Sequence, residues 1–404
     1  MAPPPSHSHR IAAIDALRGI AIFGILFSIV DGFNGVGVDA YLDSPLTLFW
    51  WRFHEAFISQ RCIAIFSFLF GLGLFLQWQR ASHAGRPFAA QHLRRMACLV
   101  GFGLINTTLF FSAEILLVYA VFGVLLLVLH RVDLRVHLGL AAFVFLLWGP
   151  FQDKVIMAPI MHPEMAAFEQ AYPEERITAI FRSGGLAESA RLRWIEYGHI
   201  FYFNSAWMRT SLCMVLLGYA AGRSGLAMRL FSQPGQFRLA GTAIAIPGGL
   251  FMLAGLAGFP TYADIWAGTG LYLIVSLGVL LSTFTLIWLF ALLCTTSAGE
   301  RVIKILAPIG RQSLTTYMGG AAVFAFIFHH YGFGLFRTVE PPTPFHIAIG
   351  TYVALGVFAH LWQRRFSQGP LEWVWRTLTY RPAPPKPSAR SNPDDHVTPA
   401  DAPR

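Results

Sequence analysis

Apolar residues in this chain come in long blocks rather than in the alternating or every-third-position patterns of half-buried strands and helices, and short basic connections separate the blocks. A helix needs about 20 mostly apolar residues to cross the roughly 30 Å of a bilayer's hydrocarbon. Blocks near that length lie at residues 11–31, 62–79, 95–111, 114–130, 136–154, 206–222, 238–257, 268–293, 312–330 and 345–363. They predict an all-α integral membrane protein of about ten transmembrane helices, because a helix closes its own backbone hydrogen bonds where no water can. The seventh block contains "AIAIPGGLFM", where Pro247, Gly248 and Gly249 interrupt the pattern, so residues 238–257 are expected either to span or to re-enter.

The connections orient the chain. Cytoplasmic loops carry an excess of Lys and Arg. Arg80, Arg86, Arg94 and Arg95 follow the second block, Arg131 and Arg135 the fourth, Arg223, Arg229 and Arg238 the sixth, and Arg301, Lys304 and Arg311 the eighth. Arg364, Arg365, Arg376, Arg381 and Lys386 follow the last, whereas the intervening short connections "FSAE" and "GFPTYADIW" have no basic residue. Both termini are therefore expected in the cytoplasm. The layout is a short cytoplasmic segment at 1–10, one membrane domain at 11–380 with long outside connections near 32–61 and 155–205, and a tail at 381–404. The seven prolines of that tail predict disorder, and the two long connections are expected to form interfacial helices capping the bundle.

Composition agrees. Of 404 residues 55% are hydrophobic and 13% charged, with a mean hydropathy of +0.53, against a charged share of about 25% in soluble domains. The net charge of +9 raises the question of nucleic acid, but no basic and aromatic stripe accompanies it. Membrane lipids are the expected partners. Cys62, Cys98, Cys213 and Cys294 lie in or beside apolar blocks with no CxxC spacing, and no metal site is expected. No small-residue cleavage pattern follows the first block, which is expected to be retained.

That block, "IDALRGIAIFGILFSIV", carries two charges, each costing roughly 2.5–3.5 kcal/mol at the centre of a span. Ile20 to Val30 alone is too short to cross, so the span must include Asp15 and Arg18, placed within the cytoplasmic leaflet on one helix face. They read as a structural ion pair or as a site for an anionic group with Arg18 as donor.

Several stretches resemble the YeiB-like family of bacterial membrane proteins, a group of unknown function. They are "DALRG" and "AIFGIL" in the first block, "RCIAIFSFLFGLGLFLQ" at 61–77, the run at 93–125, "GRQSLTTY" at 310–317, and "RRFSQGPLEWVWRTLTY" at 364–380. The last is similar to that family's Gly-Pro-x-Glu-Trp-x-Trp-Arg ending. The family in turn resembles a wider set of transmembrane acyltransferases that includes heparan-α-glucosaminide N-acetyltransferase. The resemblance implies transfer of an acyl group from cytosolic acyl-CoA, with no tightly bound cofactor, to an envelope lipid or glycan acceptor in the inner membrane.

Such transfer requires a base near the acceptor and donors for the phosphates and the oxyanion. Where the family often has a histidine this chain has Asn106, which cannot take a proton, and a Gly-Asp pair is replaced by Ala113 and Glu114. Asn106 and Glu114, with His54 of "WWRFHEAF" and His199 of "IEYGHIFYF", are the catalytic candidates. Asp15, Arg18 and Arg311, the last at an inner helix start, are the candidates for binding the anionic donor, and Arg61 at an outer helix start is a candidate for binding an anion as substrate. His329 and His330 read as interface residues, and Glu372, Trp373 and Arg376 as an amphipathic helix along the inner leaflet. The rival reading is a transporter or export component, favoured by the break at Pro247.

Overall fold

The computed structural model describes residues 7–85, 87–148, 166–203, 205–259 and 269–380. The end of the fifth predicted span (149–154), part of the second long connection and the Pro-rich tail lie outside them. Among the described residues every regular element is helical. In chain order the α-helices that matter here are α1 (His7–Asn34), α2 (Pro45–Phe53), α3 (Arg61–His83), α4 (Phe88–Leu109), α5 (Leu116–Leu129), α6 (Leu134–Phe143), α7 (Glu174–Ser183), α8 (Leu186–Phe203), α9 (Ser205–Arg223), α10 (Leu226–Ser232), α11 (Arg238–Leu256), α12 (Thr269–Leu293), α13 (Ser297–Arg311), α14 (Ser313–Phe328), α15 (Thr343–Gln363) and α16 (Pro370–Thr379).

Within the described residues, each of the ten predicted blocks has its main part on one of these helices. Among the described residues, five helical runs are both long and apolar enough to cross a bilayer: Ile11–Asn34, Pro45–His83, Pro234–Leu256, Leu273–Leu293 and Thr343–Gln363. A sixth is Trp207–Arg223 with Leu226–Ser232, if that pair, bent by 76°, counts as one span. The runs Leu116–Leu129, Leu134–Leu147 and Ser313–Phe328 are apolar but shorter. Large apolar side chains such as Leu239, Val121, Val128 and Leu253 stand exposed on the outer surface, an arrangement that suits lipid and not water.

α1 is the hub. It packs against α3, α13, α14 and α15, and Leu26, Phe27, Val30 and Phe33 on it are fully buried. Lipid tails are as apolar as the side chains, so helices in a bilayer adhere by close packing, and small residues let them approach. On α3 and α9, Gly71 faces the carbonyl of Val215 and Gly218 that of Phe68, so neither site has space for a Cβ.

Three expectations change. α11 runs unbroken through Pro247, although the proline leaves Ala243 without its usual amide donor. The Thr285 hydroxyl donates to the carbonyl of the next residue, Ile244, at 3.3 Å, and α12 packs tightly against Gly248 there. The stretch around His54 does not lie on the outer surface but continues from α2 through a π-helical turn, and its His54 is buried. α16 is not a free amphipathic helix on a leaflet, since Glu372 and Trp375 tie it to α14 and α4.

Candidate functional site

Asp15 and Arg18 sit one turn apart near the start of α1, with Arg18 Nη1 donating to Asp15 Oδ1 at 2.9 Å. Asp15 is buried, whereas 28% of the Arg18 side chain is exposed. The end of α13 closes on this turn: a Cβ at Gly310 would run into the Asp15 carbonyl, and one at Gly19 into that of Leu306. This contact carries Arg311 to the mouth of the same space.

α14 starts immediately afterwards, and the first amides of a helix have no partner within it. Here they find one from a distant helix. Glu372 of α16 accepts from the Leu314 amide at 2.7 Å, the Thr315 amide at 3.1 Å and the Thr315 hydroxyl at 2.6 Å. Burial raises the Glu372 carboxyl above its ordinary range, while the Thr315 and Leu314 bonds pull the other way. Three residues on, the Trp375 ring lies 3.8 Å from the Arg95 guanidinium carbon, and its indole N–H donates to the Arg95 carbonyl at 3.0 Å. The motifs "DALRG", "GRQSLTTY" and "GPLEWVWR", far apart in sequence, therefore form one joint.

Around this joint lies a cavity of about 540 Å³. Arg18, Arg80, Arg95, Arg311 and Arg376 line it against two carboxylates, Asp15 and Glu372, leaving an excess of three positive charges. Apolar side chains line it as well, among them Ile22, Phe70, Leu99 and Ile115, with Tyr119 and Tyr317. Behind that wall the Tyr317 hydroxyl donates to Glu114 Oε2 at 3.4 Å, and Asn106 Nδ2 donates to the same oxygen. Glu114 Oε1 accepts from the Leu116 amide, and the Asn106 Oδ1 is buried without a hydrogen-bond partner.

Of the predicted site residues, Asp15, Arg18 and Arg311 line the cavity, and Asn106 and Glu114 form a pair reached from it through Tyr317. The structure does not bring the other three there. Arg61 spends its guanidinium on Ser282 Oγ and on the carbonyls of Glu55 and Ser59, fixing the α2–α3 corner on α12. His54 bonds to Ser28 Oγ at 3.0 Å, lies 3.4 Å from Glu55 Oε1 and stacks on Phe27 and Phe345. His199 on α8 packs against the Phe168 ring, 4.7 Å away. His329 is not an interface residue, for it is buried at the opposite end of the bundle.

Sequence reasoning missed Arg80, Arg95 and Arg376 as site residues because it took Arg80 and Arg95 only as topology signals and Arg376 as one of these and as part of an amphipathic helix. It also missed Tyr317 and the capping role of Glu372. The motif containing Glu372 was the signal that could have found them, since a buried acid one turn after a Gly-Pro start calls for donors from another element.

Residues 221–382 match the family described as "Protein of unknown function (DUF418)", a segment that supplies Arg311, Tyr317, Glu372 and Arg376 to the cavity. Over 93% of its length the chain is 28% identical to the uncharacterized protein YxaH of Bacillus subtilis, covering 96% of that protein. It is 27% identical to the uncharacterized protein YeiB of Escherichia coli K12, covering 93% of this chain and 98% of YeiB. Along nearly its whole length the chain is thus similar to the YeiB-like proteins. No solved structure matches this YeiB-like protein.

Proposed function

We propose that this YeiB-like protein is an acyltransferase of the bacterial inner membrane, taking an acyl group from cytosolic acyl-CoA to an envelope lipid or glycan. The observation that carries the reading is a single cavity lined both by five arginines and by apolar side chains, with Tyr317 on its wall. Five guanidiniums suit the phosphates of coenzyme A, arginine being matched to such groups in geometry and charge, and the apolar side chains suit an acyl chain. The arginine-bearing loops gather on this end: Arg223 of α9 donates to the Val132 carbonyl of the α5–α6 loop, and the Tyr219 hydroxyl to that of His130. In this reading the end faces the cytoplasm, with both termini there and about ten helices crossing.

For the reaction, the Tyr317 hydroxyl takes the proton of the acceptor hydroxyl while passing its own to Glu114, as the acceptor oxygen attacks the thioester carbonyl. The carbon–sulfur bond breaks, and the departing thiolate takes that proton back from Glu114. Asn106 cannot act as the base, and its amide holds the Glu114 carboxylate in place. Tyr317, between Glu114 and the cavity, returns that proton along the same path.

Purified protein in nanodiscs, incubated with radiolabelled acyl-CoA and envelope lipids or glycans, tests this. The wild type should bind and transfer, Glu114→Gln should bind without transfer, and Arg18→Gln or Arg311→Gln should weaken binding about tenfold, the worth of one charge-assisted contact of ~1.4 kcal/mol. Absence of acyl-CoA binding to the wild type overturns the reading. The export alternative rested on a break at Pro247, and the continuous α11 removes that support. A deletion strain that accumulates a solute while its envelope acylation is unchanged would restore it.

A further inference from the structure

A second cavity, of about 170 Å³, lies at the other end of α1 and shares no lining residue with the first. It is bounded by Gly32 and Gly35 at the end of α1, by Phe111 and Ser112 in the loop after α4, by Ile177 and Phe181 of α7, by Arg193 and Glu196 of α8, and by His329, Phe336 and Arg337. Phe111, Phe181 and Phe336 give it aromatic walls, and the His329 ring stacks on Phe181 at 4.6 Å.

Arg193 is 1% exposed. Its Nε and Nη2 donate to the Thr108 carbonyl at 3.2 and 2.8 Å, and Nη2 also to Ser189 Oγ at 3.3 Å. Nη1 is buried and has no partner. An unanswered cationic donor in such a place is expensive. The neighbouring Arg337 is fully engaged, with its two Nη atoms on the Glu174 carboxylate at 2.9 and 3.1 Å and Nε on the Gly35 carbonyl at 2.8 Å.

We propose that this cavity is a binding site for a small monocarboxylate, one of whose oxygens accepts the hydrogen bond from Arg193 Nη1. The second oxygen accepts from the carboxyl of Glu196, one turn along the same face of α8, in its protonated form. A neutral ligand would leave the guanidinium charge unanswered, and a phosphate dianion would bring a second negative charge for which the cavity, among the described residues, has no further free cation, Arg337 being paired with Glu174. The aromatic walls accommodate a short apolar tail. The carboxylate is that of a free acid or of a lipid headgroup, and the site stands whether or not the first cavity performs acyl transfer.

The pH dependence follows from the groups that face Glu196: Arg193 on its own helix, Ser112 from the loop after α4, and His329 and Arg337 from the 329–337 segment, with Glu174 beyond Arg337. Burial pushes the Glu196 carboxyl up to about 7, against the pull of Ser112 and Arg193. A carboxylate ligand shares the cavity comfortably only with neutral Glu196, so affinity is high below pH 7 and falls above it. Between pH 6 and pH 8 the neutral fraction, and with it the affinity, drops about tenfold.

Equilibrium binding of radiolabelled propionate to the full-length protein in phosphatidylcholine nanodiscs provides the test, because propionate keeps its charge across this range. Wild type should bind about tenfold more tightly at pH 6 than at pH 8. Arg193→Gln should lose binding, and Glu196→Gln should retain it with less than a twofold pH effect. Since Arg193 also ties α8 to Thr108, its variant is read beside Arg193→Lys, which keeps the charge and should retain measurable binding. Competition by phosphatidylserine in the nanodisc assigns the carboxylate to a headgroup, and lack of competition assigns it to a free acid. The proposal is overturned if wild type does not bind propionate, if Arg193→Gln binds equally well, or if the pH effect survives in Glu196→Gln.

Discussion

Asp15 and Arg18 are the plainest case of a sequence feature with two readings, and the structure gives both a place. The pair is closed at 2.9 Å, yet Arg18 keeps part of its guanidinium in the cavity. A purely structural Arg18 would be dispensable once Asp15 is neutral. We therefore expect Arg18→Gln to destabilise the protein by about 1–3 kcal/mol, less than a fully buried pair because Arg18 is partly exposed, and Asp15→Asn/Arg18→Gln to recover most of that stability. Acyl-CoA binding should not recover in the double variant. Thermal unfolding and equilibrium binding on the four members of this cycle separate the two roles. Arg61 illustrates the opposite outcome, since its donors go to carbonyls and Ser282 and leave no fork for an anion. Nothing in "SQRCIA" distinguishes it from Arg18, because a helical turn does not show which way a guanidinium folds onto nearby carbonyls, and Ser282 comes from α12, more than two hundred residues on.

Among the elements, α13, α14 and α16 show how short motifs build a site. Gly310→Ala should force α1 and α13 apart, because its Cβ would meet backbone and not a yielding side chain. A loss of at least ~2 kcal/mol in thermal unfolding, typical of overpacking, is expected. Gly249→Ala on α11 is the control: nothing lies within 4 Å of its Cβ, so the helix should gain roughly 0.5–1 kcal/mol. Glu372→Ala removes the acceptor for the first amides of α14 and should cost about 1–2 kcal/mol, as loss of a helix cap does. Glu372→Gln, which keeps an acceptor oxygen, should cost less than half of that by the same measurement. The helices themselves were legible from apolar block length: within the described residues, the main part of each of the ten predicted blocks lies on a helix. The path through Pro247 was not, because the Thr285 hydroxyl and the fit of α12 against Gly248 belong to another helix.

Over the whole molecule, two cavities open at opposite ends of α1, and the segment from Phe111 to Leu116 separates them. Phe111 and Ser112 face the smaller one, Ile115 and Leu116 the larger, and Glu114 lies between. Because Arg80, Arg311 and Arg376 are exposed at the larger one, acyl-CoA binding there should be screened by salt. Raising ionic strength from about 0.05 to 0.5 M shortens the screening length to a few ångströms and should weaken acyl-CoA binding severalfold, while propionate binding at the buried Arg193 should change much less. Equal salt dependence at the two sites would argue against this division.

The sequence by itself determined that the chain is helical, that its surface suits lipid, where its apolar blocks start and stop, and that charges recur at one set of connections. These are properties of contiguous residues, fixed by block length, hydropathy and backbone hydrogen bonding. Only the tertiary structure decided which of the charges meet. It gathered Arg18, Arg80, Arg95, Arg311 and Arg376 from α1, α3, α4, α13 and α16, placed Glu114 behind Tyr317, and left Arg61, His54 and His199 elsewhere. The reason is that a binding site is a sum over helix contacts, set by glycines such as Gly19 and Gly310 and by caps such as Glu372, whose partners lie up to hundreds of residues away.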